Sequence, residues 1–298
     1  MSDADKPIAY MQRTRDYYLA LGYGAPYAWA SFAEVPFTPL AKPLADSTVA
    51  LVTTAAPYQP DKGDQGPGAP YNAAAKFYEV YDAPTAEIPD LRISHIAIDR
   101  DHTTAEDMGS YFPLTALKNA ADAGKIGKLA DRFFGLPTNR SQRTTIDVDG
   151  PALLAHCQKH NIDAAVFVPN CPVCHQSVSI VARILEQAGI ATVIMGCAKD
   201  IVEHVGVPRF LFSDFPLGNA AGRPNDPASQ TATLAMALNL LETADHPRST
   251  VQSDLVWVGA PDWKDDYSNP AKLSPEEIAR RKQAFDAGKV AAKKVLNG

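Results

Sequence analysis

The stretch Ala164-Ala165-Val166-Phe167-Val168-Pro169-Asn170-Cys171-Pro172-Val173-Cys174-His175-Gln176 decides how this chain is read. Its first five residues are an apolar run, too short for a core helix and of the length of a buried strand. Beyond it, Val178, Val181, Ile184, Leu185 and Ala188 recur on one helical face and Gly189 supplies a stop, so a helix is expected over Ser177 to Ala188. A strand running straight into a helix places the intervening residues outside the carboxyl end of a sheet, where open α/β folds bind ligands. Both Cys171 and Cys174 fall there. The free N–H groups and dipole of a helix start favour a thiolate, which makes one cysteine a candidate nucleophile and its neighbour a candidate resolving thiol.

The same alternation extends on either side. A helix over Pro151 to His160 precedes the stretch; a strand at Ala191 to Met195, a short helix near Ile201, a strand at Phe210 to Phe212 and a helix over Pro227 to Leu241 follow it. Regular alternation implies parallel strands with right-handed crossovers. The expected fold is therefore α/β and doubly wound, with a mostly parallel sheet, or two related lobes around a cleft. Upstream, Thr48 to Thr54 reads as a buried strand, Gln59 to Tyr71 as a loop and Arg92 to Asp99 as a second strand. A basic, Pro-containing link through Arg140 and Arg143 leads to a change of character near Gly150. Three regions result: 1–46, with an amphipathic helix over Ile8 to Leu21 and an aromatic arm; 47–150, a first α/β lobe; and 151–298, a second lobe carrying the Cys-x-x-Cys loop. Ser274-Pro275-Glu276-Glu277 is a capping box that opens a final helix reaching about Val295.

The chain has 298 residues, 46% of them hydrophobic, and a formal net charge of −6. That balance lacks the basic excess that a nucleic-acid backbone attracts. The apolar runs are far shorter than the ~18 residues of a membrane span, and Met1-Ser2-Asp3-Ala4-Asp5-Lys6 has no signal-peptide anatomy. The expectation is a cytoplasmic protein acting on a small molecule, with no nucleic-acid or membrane partner. The dense aromatics of the arm, Tyr23, Tyr27, Trp29, Phe32 and Phe37, cover either a core edge or a homodimer contact.

Other chemistry-bearing residues cluster at expected strand ends. Cys197 follows the next strand and brings a third sulfur near the loop of Cys171, or is a small core residue. Cys157 shares a helix face with Leu153 and Leu154 and reads as a buried structural thiol. His95, beside Asp99, Arg100, Asp101 and His102, is a candidate acid or base, as is His175; the alternative is a solvated salt-bridge loop. Asp99, Arg100, Cys197, Arg209 and Asn219 are candidate substrate-binding residues, while Arg209 at a strand entrance also fits pairing with a helix carboxylate. Cys171, Cys174, Cys197 and His204 could supply zinc ligands, but no second Cys-x-x-Cys or His pair gives the customary spacing. Cys171-Pro172-Val173-Cys174-His175 matches the c-type haem attachment pattern, which lacks an export signal here. The reading is of no metal and no cofactor.

Several separated motifs occur in a familiar order: Ser94-His95-Ile96-Ala97-Ile98-Asp99-Arg100, Asp107-Met108-Gly109 with Phe112-Pro113-Leu114, the loop at Cys171 to His175, and Pro208-Arg209 with Phe215-Pro216-Leu217-Gly218-Asn219. Over Val49 to Leu241 the chain resembles the glycine/sarcosine/betaine/D-proline reductase component B family, as a short relative without selenocysteine. The resemblance implies a selenocysteine or cysteine that attacks the substrate and releases an amine or opens a ring, assisted by a pyruvoyl-bearing subunit and thiol carriers. It carries over to Cys171 or Cys174 as nucleophile. Two outcomes follow as expectations. In one, the chain is a cysteine-dependent enzyme that cleaves a C–S or C–N bond of a small nitrogenous metabolite, reductively with a thiol reductant or by desulfuration of a thiohydantoin-like or thioamide-like substrate. In the other it is a non-catalytic or partner-dependent subunit. The layout is also similar to two-lobed cysteine racemases of the aspartate/glutamate type, but the turn Thr53-Thr54-Ala55-Ala56 lacks the first thiol that reaction needs.

Overall fold

A computed structural model describes residues 6–24, 27–259 and 261–296; the polar start at 1–5 lies outside them. The strands are β1 (Thr48–Thr53), β2 (Ala56–Pro57), β3 (Tyr81–Pro84), β4 (Leu91–Arg92), β5 (Lys128–Leu129), β6 (Arg132–Gly135), β7 (Ala164–Val168), β8 (Ala191–Gly196), β9 (Arg209–Phe212) and β10 (Ser249–Gln252). The helices are α1 (Tyr10–Ala20), α2 (Leu114–Asp122), α3 (Gln142–Thr144), α4 (Gly150–Lys159), α5 (Pro172–Gln187), α6 (Lys199–Val205), α7 (Pro227–Thr243) and α8 (Pro275–Leu296).

One central sheet runs β10-β9-β8-β7-β1-β6-β3, with β5 also paired to β1. Every pairing in it is parallel except that of β3 with β6. Alternate strand residues feed two cores. Val49, Leu51, Val166, Val193 and Met195 pack with Leu117 of α2 and Leu234 and Leu241 of α7 on one face. On the other, Ala50, Val52, Phe167 and Ile194 pack with Leu153 of α4 and Val178, Val181 and Leu185 of α5. This period-2 division is the doubly wound pattern expected from the sequence.

β1, from before Gly150, lies between β6 and β7, so residues on both sides of Gly150 contribute to one sheet. One expectation is corrected. The strand expected over Arg92 to Asp99 is cut to Leu91–Arg92, which pairs with Ala56–Pro57 in a separate two-stranded sheet. Beyond it the backbone is held by other partners: Arg100 donates to the carbonyls of Ala69, Ile96 and Ser94, and Asp99 N–H donates to Leu217 O at 2.9 Å. Carbonyls occupied by a guanidinium are not available to a ladder.

The aromatic arm packs on its own chain. Ala30 N–H donates to Gln176 Oε1, Gln176 Nε2 to Tyr27 OH and Thr38 N–H to Glu186, while Phe32 and Phe37 lie against the guanidinium groups of Arg183 and Arg209. The arm is thus a strap across α5. At the other end, Ser274 Oγ accepts from Glu277 N–H at 3.2 Å, the N-cap bond that the capping box anticipates. Among the described residues no helix is long and apolar enough to cross a membrane.

Candidate functional site

The helix after β7 begins five residues earlier than its hydrophobic face alone indicates. Cys171 is its N-cap, with extended backbone, and Pro172 occupies the first helical position, where its missing N–H costs nothing. Cys171 Sγ accepts from Cys174 N–H at 3.2 Å, as a serine oxygen would at a helix start. Cys171 and Cys174 are joined as a disulfide, and both are buried, at 4% and 0% exposure. The two candidate thiols are therefore paired and buried in this structure. Starting the helix at Pro172 draws Cys174 inside the first turn, beneath the chain that leaves β6. From that chain Thr138 Oγ1 lies 3.3 Å from Cys174 Sγ.

His175 ties this turn to the next strand. Its Nε2 accepts from Cys197 N–H at 2.9 Å and Ala198 N–H at 3.2 Å, and its Nδ1 lies 2.7 Å from Cys171 O. Two donors on Nε2 require that nitrogen to be unprotonated, so Nδ1–H donates to the Cys171 carbonyl and the ring is neutral. Gly196 permits the approach, since a Cβ there would sit 2.8 Å from the imidazole. His175 thus fastens the thiol turn to the residues after β8 as a neutral ring. Burial pushes it down to about 4, against the pull of the Cys171 carbonyl.

A pH dependence follows from the sign of that shift. Between the ordinary value of 6.5 and about 4, the unfolded chain binds the proton and the folded chain does not, so stability rises with pH over that span. The contribution of His175, on the order of 3 kcal/mol, is full above about pH 6.5 and is lost as pH falls through 4. NMR titration of the His175 ring should find it neutral at pH 5.5; a midpoint near 6.5 would contradict this.

The remaining sequence candidates divide. His95 is buried at 2% exposure, with its ring tilted against Phe77 at 5.6 Å and an edge toward the Thr54 backbone. Burial and then Lys76 push it down to about 3, so it too is neutral at pH 7. Thr54 in turn connects to the thiol turn, because Asn170 N–H donates to Thr54 Oγ1 at 3.3 Å. Cys197 shares the His175 clasp through its backbone, but its thiol is pushed up, by burial and then by Asp214. Asp99 accepts from His102 Nδ1 at 3.1 Å, and His102 Nε2 lies 3.2 Å from Asp266 Oδ2. Burial pushes the Asp99 carboxyl up, while His102 draws it down.

Arg100 is engaged by the three carbonyls named above. Asn219 donates to Pro216 O and lies 3.4 Å from Thr103 Oγ1, which clasps two loops. Arg209 stands at the amino end of β9, the opposite end of the sheet from the cysteines, in a buried pair with Glu186 at 2.9 Å. Arg100, Asn219 and Arg209 each hold parts of the fold together through these contacts. Cys157 is buried among aliphatic side chains, which push it up to about 12. Cys171, Cys174, Cys197 and His204 do not converge as a ligand set, and no group of three or more His, Cys, Asp or Glu among the described residues could hold a metal ion. Thr54, Thr138 and Asn170 were not singled out by sequence reasoning. Only Asn170 carried a local signal, as the polar residue between a buried strand and the N-cap.

No family model and no solved structure matches the chain. Two curated relatives do. The D-proline reductase subunit gamma of Acetoanaerobium sticklandii is 30% identical over 206 residues, covering 69% of this chain and 82% of the relative. The glycine reductase complex component B subunit gamma of Carboxydothermus hydrogenoformans is 26% identical over 196 residues, covering 64% of this chain and 44% of that longer protein. With most of the first relative's length matched at that identity, and with a parallel α/β sheet carrying the thiol turn at its carboxyl edge, the chain belongs to the family of the D-proline reductase and glycine reductase component B gamma subunits.

Proposed function

We propose that this chain is the thiol-bearing subunit of a partner-dependent reductase, in which Cys171 and Cys174 cycle between dithiol and disulfide while a carbon–heteroatom bond of a small substrate is cleaved. The observation that carries the reading is the helix start itself, where Cys171 is at once N-cap, acceptor of Cys174 N–H and disulfide partner of Cys174. The helix dipole and that N–H favour negative charge on Cys171, which is also the less buried of the two. Cys171 is therefore the attacking sulfur and Cys174 the resolving one.

The electrons balance as follows. The Cys171 thiolate forms a bond to the carbon that bears the heteroatom. The carbon–heteroatom pair leaves with the heteroatom, which takes a proton. The Cys174 thiolate then attacks Cys171 Sγ, and the sulfur–carbon pair passes to carbon, which takes a second proton. One C–N or C–S bond becomes C–H, two thiols become a disulfide, and an external dithiol restores them. Hydrolytic loss of hydrosulfide from a C=S centre would need no sulfur pair, so the paired cysteines favour the reductive route. Both relatives are named as subunits, which supports dependence on a partner.

The test is a thiol count. Reduced protein, incubated with D-proline or glycine and an extract of its source cells, should lose two thiols per molecule of product, both mapping to Cys171 and Cys174 by alkylation and mass spectrometry. Product without thiol loss, or loss confined to Cys157 and Cys197, would remove the reading.

A further inference from the structure

Each sulfur of the thiol turn has a hydrogen-bond donor of its own. Cys171 Sγ accepts from the helix backbone, at Cys174 N–H. Cys174 Sγ is inaccessible, and among the described residues its one donor is the Thr138 hydroxyl, 3.3 Å away. A disulfide sulfur carries no hydrogen, so Thr138 donates and the sulfur accepts. The chain that carries this hydroxyl is fastened on both sides. Leu136 N–H donates to Thr53 O at 2.8 Å, which prolongs the pairing of β6 with β1. Asn139 Nδ2 donates to Asp149 Oδ2 at 2.7 Å, and the Arg140 guanidinium lies over the rings of Tyr18 and Phe285, 5.3 and 5.1 Å from their centroids. Thr138 is therefore held against the sulfur before any charge develops there.

We propose that the Thr138 hydroxyl stabilises the thiolate of Cys174 and thereby sets the redox balance of the pair. The proposal takes from the reading above only that Cys174 is the resolving sulfur. When an external dithiol reduces the pair, one of its thiolates bonds to Cys171 Sγ, the bond to Cys174 breaks, and the electron pair stays on Cys174 Sγ. The second thiolate of the reductant then displaces Cys171, and the reductant leaves as its own disulfide. Burial opposes a bare thiolate at Cys174, whereas a hydroxyl donor strengthens as its acceptor becomes an anion. The contact is thus weak in the disulfide and strong in the dithiol, so it favours the reduced state. A threonine kept only for its shape would be replaced by valine at no cost to that balance.

The test is equilibration of the full chain with dithiothreitol of varied oxidised-to-reduced ratio. At pH 8, Thr138→Val should be about tenfold harder to reduce than the wild type, a potential ~30 mV more negative. Thr138→Ser, which keeps the donor, should match the wild type. The gap should shrink toward pH 5, where Cys174 is protonated in every variant. Cys171, His175, Asp149 and Arg140 are common to all of them, so the pH-dependent difference reports on Cys174. With Cys171→Ser added, the ultraviolet thiolate absorbance of Cys174 should rise at about one pH unit higher in Thr138→Val than in Thr138. Thr138→Ala removes the same hydroxyl and carries the test if Thr138→Val does not fold. Equal potentials with and without the hydroxyl, a gap that stays flat with pH, or a serine variant that behaves like valine would overturn the proposal. Neither readout uses substrate or partner, so a failure of the turnover reading and a failure of this one are separate results.

Discussion

Cys171→Ser should lower turnover by at least about a thousandfold while leaving the fold intact, and the two halves of that statement have separate physical grounds. An alkoxide is not available near neutral pH, and a serine hydroxyl cannot form a disulfide, so both the attack and the closing step are lost. The fold survives because serine is a better N-cap than cysteine: its Oγ inherits the Cys174 N–H bond that Cys171 Sγ accepts. The proper stability reference is the reduced wild type, since closing so short a loop contributes only about 2 kcal/mol. Cys174→Ser should behave differently. The attack still occurs, but nothing resolves the adduct, and intact-mass spectrometry should find substrate-derived mass held on Cys171. Equal activity in wild type and Cys171→Ser, measured with partner and dithiol present, would end the case for sulfur chemistry in this chain.

The sequence made the thiol turn legible because its signals are local. Five apolar residues, a Cys at the strand exit, Pro172 and the periodicity from Val178 onward fall within about two dozen consecutive positions. The same holds for Ser274 and Glu277 at the start of α8. What escaped was non-local. β3 and β6 are short, and Tyr81–Pro84 and Arg132–Gly135 acquire their identity from pairing with each other rather than from any pattern of their own. The loop from Ile93 to Asp99 has the composition of a strand, yet Arg100 and Leu217 take its backbone partners. Asn170 and Thr54 are 116 positions apart and meet only because β1 and β7 are neighbours in the sheet. The roles of His95 and His175 were ambiguous for a related reason. A histidine in a sequence is a potential acid or base, and only burial and the donors around Nε2 of His175 show that its ring stays neutral.

Arg209→Met should destabilise the protein by about 3–5 kcal/mol without altering KM, which separates a structural cation from a substrate-binding one. Arg209 and Glu186 are both inaccessible, joined at 2.9 Å, and the guanidinium also donates to Thr38 O at 2.8 Å and stacks on Phe37. The pair fastens four elements at once, α5, β8, β9 and the strap, because Glu186 also accepts from Thr192 Oγ1 and the Thr192 N–H while holding Thr38 of the N-terminal strap. Removing the cation leaves a carboxylate with backbone donors but no countercharge. Burial already pushes Glu186 up to about 7 in spite of Arg209. Without the guanidinium it is held still higher, and the protein responds by keeping the proton. A carboxyl whose folded value exceeds its unfolded one contributes stability below the unfolded value and loses it as pH rises through the folded value. The deficit of Arg209→Met in urea unfolding should consequently shrink between pH 8 and pH 5, and Glu186→Gln in the same chain should recover much of it at pH 8. A deficit that stays flat with pH, or a raised KM in the folded fraction, would return Arg209 to the list of groups that touch substrate.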